Sequence, residues 1–290
     1  MTLRPMRVLD RATAASGAVN EDRAGASGRL AWVIDGATDI LDRPLTAAAS
    51  DASWIAGQLD HALSELHAAV RSHSDLVALP AQLSARMRHE LSACASRMPA
   101  AAYENPSAAG IVLAHFGDHL GYVQLGDCSL LVADASGVRR FGPSDERAGD
   151  AQLASAIEEQ SRRMAERDGG MLAEMQLRHA MLPTLRAARS HMNREGGYAI
   201  LSIEPPPPAL VLSGTFTPHG DCRLLLASDG LMRLVDVFHR YDDAKLMAAA
   251  TAKGLAPLIA ELREIEHDES ALARPRIKRS DDATGLLIGL

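Results

Sequence analysis

The chain of 290 residues has few aromatic residues, few cysteines and no long apolar run. Aromatic residues make up 3% of the sequence and hydrophobic residues 47%, so we expect a core built from Leu, Ala, Val, Ile and Met. No segment approaches the length of a membrane-spanning helix, and residues 1–19 lack the apolar region of a secretory signal. These absences predict a soluble cytoplasmic protein that does not bind to a membrane.

Cysteine content and charge narrow the class of protein further. The three cysteines Cys94, Cys128 and Cys222 are far apart and show no metal-ligand spacing, so reduced thiols are the simplest interpretation. The formal net charge is −7. This acidic balance argues against nucleic acid or an anionic membrane as the main partner.

Several apolar segments run directly into an aspartate. The four places are Asp35-Gly36 after residues 31–34, Gly126-Asp127 after 122–125, Asp229-Gly230 after 224–228, and Asp281-Asp282 before 284–290. A buried strand that ends in Asp-Gly places a carboxylate at the rim of a sheet, and the glycine lets the chain turn away. Several carboxylates at one rim would repel each other unless a cation lay among them. A site made only of oxygen ligands is typical of Mg²⁺ or Mn²⁺.

The order of the predicted elements indicates an α+β fold. Further strands are predicted at 30–34, 110–116, 120–125, 129–133 and 198–203, and helices at about 51–70, 83–91, 142–195 and on either side of Gly254. We expect Pro80 near the first turn of one helix and Pro183 to kink or end another. Regular strand-helix alternation is missing, which argues against a doubly wound parallel sheet. A four-layer α/β/β/α sandwich, two stacked antiparallel sheets flanked by helices, fits the pattern.

The ordered motifs resemble those of the metal-dependent protein phosphatases, the type 2C serine/threonine phosphatase family. The resemblance covers nearly the whole chain and rests on Asn20-Glu21-Asp22-Arg23, Val33-Ile34-Asp35-Gly36, Gly126-Asp127, Ala227-Ser228-Asp229-Gly230-Leu231 and Asp281-Asp282-Ala283-Thr284. A single Asp-Gly usually marks only a turn, and the common order carries the resemblance. The family's helix-flanked β-sandwich agrees with the fold expected above. The sequence looks like a divergent, bacterial-type member.

The resemblance implies a metal-dependent phosphatase that hydrolyses phosphoserine and phosphothreonine in a phosphorylated protein substrate. Its cofactors would be two divalent cations, Mn²⁺ or Mg²⁺. Asp35 would bridge the ions, Asp229 and Asp281 would hold the first, and Glu21 with the Gly36 carbonyl would hold the second. Asp35, Asp229 and Asp281 would form the catalytic set, and a water activated by both ions would attack the phosphoryl group.

Four further residues surround this predicted core. By resemblance, Asp22 would lie in the outer shell of the second ion, and Asp127 would serve a third ion. Arg233 stands where the family often has another aspartate for that third ion, and it is a candidate to neutralise Asp127. Asp282 replaces the family's usual Asn and adds negative charge near the first ion.

Two side chains that many family members use on the substrate are replaced. Gly17 stands where an arginine clamps the phosphate, and Arg11 and Arg23 are the candidate phosphate-binding replacements. Ala37 stands where a histidine often acts as general acid, so another proton donor is needed. Two alternatives therefore stay open: a non-catalytic phosphatase-like binding module and a hydrolase of small phosphorylated metabolites.

Residues 1–290 are predicted to form a single phosphatase-like domain with a helical insert at about 142–195. The insert occupies the region where family members often carry a flap beside the active site, which suggests a role in gating substrate or binding a partner. A basic segment, 274–279, precedes Asp281. It is either a solvated loop or a surface for an acidic or phosphorylated substrate.

Overall fold

A computed structural model describes residues 4–142, 174–268 and 280–290. In these ranges the chain forms eleven strands and six α-helices. The strands are β1 (Arg7–Ala14), β2 (Asp22–Ser27), β3 (Leu30–Gly36), β4 (Ser107–His115), β5 (Leu120–Leu125), β6 (Ser129–Asp134), β7 (Gly137–Phe141), β8 (Leu201–Ser202), β9 (Leu212–Phe216), β10 (Arg223–Ala227) and β11 (Ala283–Gly289). The helices are α1 (Asp51–Leu66), α2 (His73–Cys94), α3 (Glu174–Arg189), α4 (Asp229–Asp236), α5 (Asp243–Lys253) and α6 (Leu255–His267).

The strands form two antiparallel sheets. One has the order β1-β11-β10-β6-β7, and the other has the order β2-β3-β4-β5-β9 with the short β8 paired to β4. The last strand along the chain, β11, therefore lies between the first strand and β10. This order brings the two distant ends of the sequence side by side.

Three buried apolar clusters separate four layers. Strand β3 shows how one strand contributes to two of these clusters, because alternate residues point to opposite faces of a sheet. Trp32 and Ile34 pack with α1 and α2, whereas Ala31 and Val33 pack against the other sheet. A third cluster joins the five-stranded sheet to α4, α5 and α6. The predicted α+β, four-layer α/β/β/α sandwich is confirmed. By the same alternation, Asp35 lies on the face between the sheets, where β3 ends.

Some predicted boundaries are wrong. Pro80 lies well inside α2, which begins at residue 73 because Ser72 and Asp75 cap each other's backbone. Pro183, predicted to kink or end its helix, does not end it, since α3 continues to residue 189; the kink stays a prediction. In both helices, contacts beyond the proline outweigh the one backbone hydrogen bond that it removes. The strand predicted at 198–203 is reduced to the two residues of β8.

Parts of the predicted organisation lie outside the described residues, namely 143–173 of the helical insert and the basic segment 274–279. The single-domain prediction for residues 1–290 stays a prediction. Within 4–142, 174–268 and 280–290, no helix combines the length and the apolar composition that crossing a bilayer requires.

Candidate functional site

Asp22 and Asp35 face each other across β2 and β3 at one end of the sandwich. Directly opposed residues of an antiparallel pair lie on the same face, so both carboxylates point between the sheets. Asp22 is only 1% exposed, and neither of its carboxylate oxygens has a hydrogen-bond partner among the described residues. Burial raises its pKa to about 7. The nearby Ser228 and Thr284 hydroxyls oppose this rise without reaching hydrogen-bond geometry.

Three other aspartates converge on Asp35. Burial raises the pKa of the Asp35 carboxyl well above its usual range, and the charges of Asp22, Asp229 and Asp127 raise it further. A hydrogen bond to Asp229 also favours the protonated form of Asp35. As whole residues, Asp35 and Asp229 are half-buried, whereas Asp22 is fully buried.

The end of β10 delivers Asp229 to this cluster. Ser228 is tied to β11 by two bonds: its N–H donates to the Thr284 carbonyl at 3.0 Å, and its Oγ accepts from the Thr284 N–H at 3.0 Å. Asp229 is then the first residue of α4. The next residue, Gly230, lies so close to the Asp282 carbonyl that an added Cβ would be 1.8 Å from its oxygen. This close contact fixes Asp229 relative to Asp281 and Asp282.

Glu21 and Gly36, the predicted ligands of the second ion, are neighbours through their backbones. The Gly36 N–H donates to the Glu21 carbonyl at 3.1 Å. The Thr38 hydroxyl donates to Oε2 of Glu21 at 2.9 Å and so orients the carboxylate. Asp281 and Asp282 approach from β11, and their charges raise the pKa of Asp22. All the predicted acidic residues therefore lie at one end of the sandwich.

The three arginines singled out from the sequence make other contacts. Nη1 of Arg233 is 2.7 Å from Oε1 of Glu266, and Arg263 holds the other oxygen at 2.6 Å. This triplet, in which Arg233 and Glu266 are buried, joins α4 to α6. Arg11 donates to the Ala24 carbonyl, and Arg23 donates to the carbonyls of residues 20 and 22. Phosphate binding by Arg11 or Arg23 and neutralisation of Asp127 by Arg233 stay predictions.

Several solved structures of bacterial phosphatases share this fold. The serine/threonine phosphatase PstP/Ppp of Mycobacterium tuberculosis matches with a TM-score of 0.58 and 16% identity over 98% of each chain. The S. agalactiae serine/threonine phosphatase matches with a TM-score of 0.56 and 14% identity over 98% of each chain. The PPM Ser-Thr phosphatase MsPP of Mycobacterium smegmatis matches at 0.51 and 20% identity, over 97% of this chain and 98% of that one. The chain has the fold of the PPM-type serine/threonine phosphatases.

No protein-family profile and no curated protein matches the sequence. At 14–20% identity, the likeness to PPM-type phosphatases establishes the fold and not the activity. The activity has to be argued from the residues at the rim.

The donor set on this PPM-type fold fits divalent cations. No three His, Cys, Asp or Glu side chains of the described residues form a ready-made metal site. Nevertheless, Asp22 carries a buried carboxylate without a hydrogen-bond partner, and four aspartates crowd around Asp35 and Asp22. Bound divalent cations would relieve this repulsion, and carboxylate oxygens are the ligands that Mg²⁺ and Mn²⁺ prefer.

Sequence reasoning missed several residues around the cluster. Thr38 orients Glu21, and Asp39 accepts a hydrogen bond from the Asp51 N–H at 2.8 Å. Burial raises the pKa of Asp39, and the charges of Asp51 and Glu21 add to this rise. In the sequence, Thr38 and Asp39 are marked only by their proximity to Asp35-Gly36. That proximity does not indicate where their side chains point.

The raised pKa of Asp22 predicts an unusual pH dependence for EDTA-treated protein. An unfolded Asp22 loses its proton near pH 3.8, whereas the folded one keeps it until about pH 7. The folded state therefore binds more protons between these values. The stability associated with protonated Asp22 is complete below pH 3.8 and is lost as pH rises through 7.

Urea unfolding of wild type and Asp22→Asn at pH 5 and pH 8, both in EDTA, measures this effect. We expect the wild type to lose more stability than the variant between the two values. Equal losses in the two proteins would contradict the assignment to Asp22. Adding Mn²⁺ should reverse the wild-type trend, because metal binding requires deprotonated carboxylates.

Proposed function

We propose that this protein is a metal-dependent phosphatase that hydrolyses phosphoserine and phosphothreonine in proteins. The observation that carries the proposal is the convergence of Asp22, Asp127 and Asp229 on Asp35 at the rim of a PPM-type fold. Crowded carboxylates of this kind are costly in a structural role, and a functional site is the usual reason for them.

The proposed cofactors are two divalent cations, Mn²⁺ or Mg²⁺. Asp35, Asp229 and Asp281 would hold the first ion, and Glu21, Asp35 and the Gly36 carbonyl would hold the second. Bound cations of this kind supply charge neutralisation at the phosphoryl oxygens and activation of a water. Hydrogen bonds within the chain would hold these ligands in place. They are the Thr38 hydroxyl bond to Glu21 and the bonds between the end of β10 and β11.

A phosphorylated protein is the proposed substrate. In its support, the PstP/Ppp and S. agalactiae structures are serine/threonine phosphatases, and Asp35 and Asp229 are, as whole residues, half-buried. Gly17 bears no side chain that would clamp a phosphate, so the other ligands at the rim and the substrate's own contacts would orient the phosphoryl group.

A non-catalytic phosphatase-like binding module is the second candidate. The burial of Arg233 with Glu266 favours it, because a position that resembles a metal-ligand position is used for packing α4 against α6. A small-molecule phosphomonoesterase would share the whole site. A panel of phosphoproteins and phosphometabolites distinguishes that activity from protein phosphatase activity.

Hydrolysis of p-nitrophenyl phosphate with Mn²⁺ tests the proposal. We expect turnover by the wild type that stops in EDTA and falls about a hundredfold or more in Asp229→Asn, as expected when several kcal/mol of transition-state stabilisation is lost. Asp221→Asn is the matched control, because Asp221 lies on the surface and pairs only with Arg4 among its described contacts.

Two results would argue against a phosphatase. One is the absence of turnover by folded wild-type protein on both p-nitrophenyl phosphate and phosphopeptides. The other is equal turnover by Asp229→Asn and the wild type. Either result would favour the non-catalytic binding module.

A further inference from the structure

The Asp282 carboxylate gathers three hydrogen-bond donors from a distant part of the chain. Oδ1 accepts from the Ser16 N–H at 2.7 Å and from the Ser16 hydroxyl at 2.9 Å. Oδ2 accepts from the Glu21 N–H at 2.6 Å. Asp282 is only 6% exposed, whereas Ser16 is exposed and Glu21 is half-buried, so these bonds are partly buried. The carboxylate thus binds both ends of the segment 16–21.

This geometry requires two acceptor oxygens. An asparagine has one acceptor oxygen and one amide group that only donates. If its oxygen faced Ser16, its NH₂ would face the Glu21 N–H; if it were flipped, its NH₂ would face the Ser16 N–H. Either orientation opposes two donors and leaves one of these N–H groups without its acceptor. The replacement of the family's usual Asn by Asp at 282 therefore has a structural reason in this chain.

The position of Asp282 is itself fixed. Its carbonyl lies against Gly230, at the start of α4, and the following strand β11 pairs with both β1 and β10. The segment that Asp282 holds contains Gly17, where backbone freedom is greatest and no Cβ contact would be made. A second tie, from Asn20 Nδ2 to Thr13 Oγ1 at 2.8 Å, holds the segment to β1.

We propose that Asp282 is a positioning residue, which sets the backbone at Glu21 so that the Glu21 carbonyl accepts from the Gly36 N–H and the Glu21 carboxylate accepts from the Thr38 hydroxyl. This inference rests on the proposed function, in which Glu21 is a ligand of the second ion. Asp282 acts on Glu21 through the segment 16–21, and its charge also acts on the nearby Asp22. The same side chain that adds negative charge at the rim thus also serves as a hydrogen-bond acceptor.

The test replaces Asp282 by the residue that the family resemblance would favour. We expect Asp282→Asn to speed amide hydrogen exchange in residues 16–22 and to weaken Mn²⁺ binding, measured by calorimetry, about 10- to 100-fold, the usual range for lost support of a metal ligand. Ser16→Ala removes one of the three bonds and should cause a smaller change in the same direction. It also keeps the test available if Asp282→Asn does not fold.

Asp242→Asn is the matched control, because Asp242 accepts the Lys245 N–H at 2.7 Å where α5 begins, outside the carboxylate cluster. It should change exchange only near α5 and leave Mn²⁺ affinity unaltered. Unchanged exchange of residues 16–22 in both Asp282→Asn and Ser16→Ala would overturn the proposal. So would faster exchange with wild-type Mn²⁺ affinity. If the wild type itself bound no Mn²⁺, the proposed function would fail, and the exchange data alone would decide whether Asp282 holds the segment.

Discussion

Asp35→Asn is expected to abolish Mn²⁺-dependent hydrolysis and, in EDTA, to make the protein more stable than the wild type. Activity should fall about a thousandfold, because Asp35 would contact both ions and roughly 4 kcal/mol of transition-state stabilisation would be lost. Stability should rise by about 1–3 kcal/mol, because a neutral amide removes the repulsion from Asp22, Asp127 and Asp229. Sites built for function commonly sacrifice stability in this way.

Activity on p-nitrophenyl phosphate and urea unfolding at pH 8 measure the two effects. Asp60→Asn is a suitable control, because Asp60 accepts a hydrogen bond from the Trp32 indole at 2.7 Å on the opposite face of β3. It should leave turnover unchanged. Loss of stability in Asp35→Asn with EDTA present would show that the aspartates do not repel each other as described. Retained activity would remove Asp35 from the catalytic set.

Gly230→Ala is expected to disrupt both the fold near the site and the activity. The new Cβ would lie 1.8 Å from the Asp282 carbonyl oxygen and 2.9 Å from its carbon, which are backbone atoms that cannot rotate away. Separation of α4 from β11 would then move Asp229 away from Asp281. We expect a loss of about 3 kcal/mol in the free energy of unfolding.

Thermal unfolding and Mn²⁺-dependent turnover, measured together, check this expectation. Gly57→Ala in α1 provides the matched control, because an added Cβ there would meet nothing within 4 Å. That substitution should stabilise the helix by about 1 kcal/mol. If both alanine variants were equally stable, the close contact between Gly230 and Asp282 would not be present in solution.

The strands that sequence reasoning found and those that it missed differ in their place in the sheets. The missed strands β1, β2, β7 and β9 are all edge strands. Three of them, β1, β7 and β9, have no fully buried residue, so they lack the continuous apolar runs that marked the central strands. These segments are strands because they pair with a neighbouring strand. The local sequence pattern contains no information about that neighbour.

The features of the candidate site also fall into those that the sequence predicts and those that it does not. The motif aspartates were predictable because each follows or precedes an apolar run, and a strand that ends at a rim fixes where its last side chain lies. The contacts of Asp282 with Ser16 and Glu21 were not, because they join residues more than 260 positions apart. Likewise, the ion pair between Arg233 and Glu266 on another helix was not predictable from the sequence.

The central place of β11 also has a consequence for biosynthesis. Residues 283–289 fill the space between β1 and β10, and Asp281 and Asp282 immediately precede them. While the ribosome is still making this segment, the five-stranded sheet is divided and the rim lacks two of its carboxylates. The site is therefore complete only after residues 281–289 have emerged and β11 has paired with β1 and β10.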